Sequence, residues 1–151
     1  MDITNTIHDI IMGQVDARLE PARLVSKKRS SELAEKENQL CSKLNGKMRE
    51  LCEKAEKDFR VWLDKLPDGK SIKTRKRWMG EGSAFSFTSA DRFDLPFDSS
   101  APEEAFSAYR RDVLQKALRV ASENPSKTAY AEVDKFLAGI DPVKEIEKRI
   151  K

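Results

Sequence analysis

The side chains able to do chemistry are few and scattered. The chain has a single histidine, His8, beside Asp9, and two cysteines, Cys41 and Cys52. A histidine and a cysteine can form a nucleophile pair in which the imidazole takes the thiol proton. Both cysteines, however, fall at apolar positions of a helical pattern, where a thiol packs as a small hydrophobe. They are therefore expected to be packed, slowly reacting thiols. Neither has a ligand at metal-binding spacing, so no metal and no cofactor are expected. Glu103-Glu104 and the Glu145/Glu147 pair read as helix starts and solvated faces. Gly80-Glu81-Gly82 lacks the lysine and helix start of a phosphate loop. The expectation is that the protein is not an enzyme.

Charge is concentrated in the stretch SIKTRKRWMGEG. Lys73, Arg75, Lys76 and Arg77 are four cations in five residues, and Trp78 follows them. On a strand, Lys73, Arg75 and Arg77 would form a row spaced about 6.6 Å apart, able to track a phosphate backbone. A charged row equally guards a sheet edge against unwanted pairing. The phenylalanines Phe85, Phe87, Phe93 and Phe97 alternate as on a buried face, not as a platform for stacking bases. A net charge of +3, from 29 Lys+Arg against 26 Asp+Glu, is too small to imply a polyanionic partner. The preferred reading is a solvated edge or one that faces another protein, one with an acidic surface. Nucleic-acid binding through the basic strand 73–77, joined by Lys27, Lys28 and Arg29, is the alternative.

These residues need elements to hold them. Ile3, Ile7, Ile11, Val15 and Leu19 make a helical stripe, and Pro21 predicts a kink or break after it. Beyond it an 11-residue period sets in. Leu33, Leu44, Ala55 and Leu66 are 11 apart, as are Leu40, Leu51 and Trp62, then Cys41, Cys52 and Leu63, then Met48 and Phe59. Eleven residues complete three turns, so such a stripe runs nearly straight along its helix. From Ser31 to Leu66 the helix would span about 54 Å, against a diameter near 40 Å for a compact chain of this length. It must therefore break at Asn45-Gly46 or pair with another chain. Leu33, Leu40, Leu44, Met48, Leu51, Phe59 and Trp62 are the candidate pairing residues.

Pro67-Asp68-Gly69 predicts a turn, and the alternation after it predicts two or three strands, with Pro96 at an edge. Ser100 to Glu103 reads as a capping box with Pro102 in the first turn. Phe106, Tyr109, Val113, Ala117 and Val120 follow at helical spacing up to Asn124-Pro125. A second helix carries Ala129, Val133, Phe136 and Leu137 and stops at Gly139. Asp141-Pro142 caps a third, with Val143, Ile146 and Ile150.

The sequence thus predicts an α+β fold, predominantly α: a helical arm over 1–66, a small antiparallel β-meander over 67–99 and a C-terminal helical cluster over 100–151, all in one domain. The predicted role is non-enzymatic protein binding, as an adaptor, inhibitor or assembly factor, through the long helix and a basic β-hairpin, with a homo-oligomer expected. The absence of an apolar N-terminal run or an 18-residue apolar stretch predicts no membrane partner. With two cysteines at helical apolar positions, a reducing, cytoplasmic setting is expected.

Overall fold

The computed structural model describes residues 3–71 and 94–151. Among these the chain is all-α, with α1 (Ile3–Asp64), α2 (Ala101–Glu123), α3 (Ala129–Ala138), α4 (Pro142–Arg149), a 3-10 turn at Gly69–Ser71 and no strand. The described residues are thus all-α, which corrects the α+β expectation. Residues 65–71 continue α1 through turns closed by Leu66 N–H to Leu63 O and Gly69 N–H to Leu66 O, each 3.1 Å, the tightened bonding with which helices commonly end. The chain re-enters at 94–100 as irregular backbone and turn. Of the alternation from which the strands were predicted, residues 72–93, with the basic hairpin, lie outside the described residues, while the expected last strand, Phe93 to Phe97 around Pro96, is irregular backbone and bend from 94 onward. Gly69 has a specific reason to be glycine, because a Cβ there would run into the Leu63 carbonyl.

α1 runs unbroken through Pro21, where a kink or break was expected, and through Asn45-Gly46, where a break was one of the two alternatives. Pro21 lies inside the helix, where the missing N–H frees the carbonyl of Ala17 and the ring crowds it, a cost of about 3 kcal/mol. Both Ala17 and Pro21 are exposed, so water can take the freed carbonyl, while Leu19 and Ala22 on either side are fully buried. Burying one leucine is worth about 1.5–3 kcal/mol, so the packing offsets the proline. Gly46 is likewise passed without a break, in right-handed backbone with open space around it. Its neighbour Asn45 is half-buried, with Oδ1 left without a hydrogen-bond partner among the described residues.

One period orders the whole helix. The buried side chains described in α1 are Ile11, Val15, Leu19, Ala22, Ser26, Ser30, Cys41 and Leu63. All fall in steps of 4, 4 and 3 residues, so the 11-residue repeat begins near the N-terminus and not at Leu33. Ser26 tolerates burial because its hydroxyl donates to Arg23 O at 2.8 Å.

The chain divides into two compact units, Met1–Ala34 with Phe97–Lys151, and Glu35–Pro96. In the first, Ile11, Val15, Leu19 and Ala22 of α1 pack with Tyr109, Val113 and Ala117 of α2, Val133 and Leu137 of α3 and Ile146 of α4. Polar bonds fix the helices around this core. Gln14 donates to Asp134 Oδ1 at 2.9 Å. Arg18 donates at 2.9 Å both to Leu137 O, which also accepts from Ile140 N–H at 3.4 Å, and to Ile140 O just past α3. Arg110 grips Asp16 through two bonds of 2.6 and 3.1 Å.

The caps were only partly as expected. Asp141 accepts from Lys144 N–H at 3.2 Å, as an N-cap should. Ser100 makes no side-chain cap bond to α2; its hydroxyl instead bridges Asp98 at 2.8 Å and Glu104 at 3.1 Å. Gly139 ends α3 in right-handed backbone, with its N–H on Lys135 O and Phe136 O. In the second unit, only Cys41, Leu63 and Gly69 are buried among the described residues.

Candidate functional site

Three surfaces carry the residues of interest. The first is the part of α1 in the second unit. At 11 residues per three turns each residue advances about 98° around the axis. The columns Leu40/Leu51/Trp62, Leu44/Ala55, Met48/Phe59 and Cys41/Cys52/Leu63 then sit side by side over about 100°, the width of an amphipathic helix's apolar face. Lys43, Lys54 and Lys65, all exposed, form a column about 65° beyond the Leu40/Leu51/Trp62 edge.

Burial falls off across this arc. Cys41 and Leu63 are buried at one edge, and Leu40, Leu44, Met48, Cys52 and Phe59 are half-buried. Leu51 and Trp62, at the other edge, are 48% and 55% exposed. The Trp62 and Phe59 rings lie 5.8 Å apart, tilted by 31°, a packed aromatic pair with one member open to solvent. Leu33, the remaining pairing candidate, is half-buried in the first unit. The structure therefore brings six of the seven pairing candidates onto one helical arc within one unit.

The basic candidates Lys73, Arg75, Lys76, Arg77 and Trp78 lie outside the described residues. Lys27, Lys28 and Arg29 are exposed on α1.

The second surface is a groove of about 400 Å³ in the first unit, lined by Ile7, Ile11, Leu118, Ala121 and Tyr130 with His8 at its rim. His8 belongs to the first unit and both cysteines to the second. Among the described residues, no three side chains of the metal-ligating kinds stand together, and no helix is long and apolar enough to cross a membrane.

The third surface was not anticipated. A groove of about 420 Å³ opens between α2, the end of α3 and α4, floored by Tyr109, Val113, Phe136 and Ile140. Arg149 lies over the Tyr109 ring at 5.0 Å and bonds Glu145 at 3.1 Å and Asp112 at 3.3 Å. The hydrogen bond to Glu145, then that to Asp112, holds the Arg149 guanidinium charged above its ordinary range. Burial pushes the Tyr109 phenol up, and the nearby Glu145 carboxylate adds to the effect. The contributing residues come from three helices spread over some forty positions. Only the Lys144/Lys148 spacing of four, which sets two cations on one helical face, was a signal in the sequence.

No protein-family model, curated protein or solved structure matches this chain.

Proposed function

We propose that this is a non-enzymatic protein-binding protein, of the adaptor, inhibitor or assembly-factor kind, which works by pairing the Glu35–Asp64 part of α1 with a helix of another chain. The observation that carries the reading is the arc from Leu40 to Leu63, on which Leu51 and Trp62 remain about half exposed. An exposed leucine and, three turns on in the same column, a large aromatic are the kind of anchors that helix-in-groove recognition uses. A partner helix must match the 11-residue period to keep its own seam in register, since a strict heptad would drift around the axis. A second copy of this chain has that period by construction, which favours a homo-oligomer.

Leu51→Asp with Trp62→Asp tests the reading. Both positions are exposed, so the double variant should keep its helical circular dichroism. Light scattering across a concentration series, and pull-down of any partner held by the wild type, should show association weakened by about a hundredfold or more, as expected when two interface anchors are lost. Association that is unchanged in the double variant contradicts the reading.

A further inference from the structure

The groove between α2, α3 and α4 shares no residue with the α1 arc. Its charges are unevenly used. Asp112 and Glu145 are committed to Arg149, and Asp141 is committed to the start of α4, where it accepts from Lys144 N–H and offsets the helix dipole. Lys116, Lys144 and Lys148 also line the groove, yet none of their ammonium groups forms an ion pair among the described residues. All three are exposed. The groove thus has an apolar floor and three lysines outside any ion pair among the described residues, and its four lining cations outnumber its three carboxylates by one.

We infer that this groove receives an acidic peptide segment of a partner protein, one that sets a large apolar side chain between carboxylates. The apolar side chain covers the half-buried Phe136 and Ile140, which cost little further ordering, over the buried Val113. The carboxylates meet Lys116, Lys144 and Lys148, which attract the segment at long range and set its orientation. Volume agrees, since about 420 Å³ lies within the range of ligand-binding clefts, roughly 300–1,000 Å³. Exposed lysine pairs are individually weak, so the floor supplies the anchor and the rim supplies the selection for acidic sequence.

The test uses the full-length protein and a fluorescein-labelled hexapeptide, Glu-Asp-Leu-Trp-Asp-Glu, with Gln-Asn-Leu-Trp-Asn-Gln as the neutral control and decanoate as a non-peptide anion with an apolar tail. Fluorescence anisotropy should show saturable binding of the acidic peptide, weaker binding of the neutral one and weakening with added salt. Lys116→Glu, Lys144→Glu and Lys148→Glu together should reduce acidic-peptide affinity by about tenfold or more. The same triple variant should leave association through α1 unchanged, which separates this site from that reading. No saturable binding of the acidic peptide, equal binding by the triple variant, or binding of decanoate with none of the peptide would each overturn the inference.

Discussion

At the scale of single residues, two arginines of the first unit distinguish a bond that holds the fold from one that decorates it. Arg18 is itself exposed, but its bond to Leu137 O is partly buried, while that to Ile140 O is exposed. Arg18→Ala should cost about 1.5–3 kcal/mol in urea unfolding, the range for hydrogen bonds to a charged group. Arg110 bonds Asp16 with good geometry, but the two side chains are 32% and 49% exposed. Solvent screens such a pair, so Arg110→Ala should cost only about 0.5–1 kcal/mol. Equal costs would show that the partly buried bond to Leu137 O adds nothing. Tyr109 makes a pH-dependent prediction. Burial raises its folded pKa above the unfolded value of about 10. The native state therefore keeps its proton longer than the unfolded state, and this part of the stability is complete below about pH 10 and is lost as pH climbs through the raised value. Other groups titrate in the same window, so the comparison is differential: Tyr109→Phe should flatten the alkaline fall in stability relative to the wild type. An unchanged slope would contradict the burial argument.

At the scale of elements, the helices that the sequence predicted well are those whose ends are written locally. Asn124-Pro125 stops α2 and Asp141-Pro142 starts α4 because proline and a capping carboxylate act within a single turn. What the sequence hid was the continuity of α1. Pro21 and Asn45-Gly46 are genuine local costs, and only tertiary burial of Leu19 and Ala22 shows that the first is overridden. Serines at positions 26 and 30 disguised the 11-residue register, since polar residues occupy buried places in it. The charged groove was illegible for a different reason, because Tyr109, Lys116 and Arg149 meet only after three helices pack. Glycine offers a paired test of the helix itself. Gly46 lies in mid-helix with open space at its missing Cβ, so Gly46→Ala should stabilise by about 0.5–1 kcal/mol. Gly69→Ala places a methyl group against the Leu63 carbonyl and should destabilise the turn after α1. A loss of stability in the first variant, or none in the second, would show that these backbone positions are misread.

At the scale of the whole molecule, the two units differ in how much they bury. The first has a core drawn from four helices, whereas the described residues of the second bury only Cys41, Leu63 and Gly69. Regions with few buried apolar contacts open most readily, so in dilute protein the backbone amides of Glu35–Asp64 should exchange faster than those of α2. A helix that leaves Leu51 and Trp62 half exposed gains most from a second helix laid along it, and this is the basis of the proposed function. Hydrogen–deuterium exchange as a function of protein concentration measures that gain directly. The account predicts that protection from Leu44 to Trp62 rises with concentration, or on adding a partner, while α2 stays as it was. Exchange in that segment that is independent of both would contradict it.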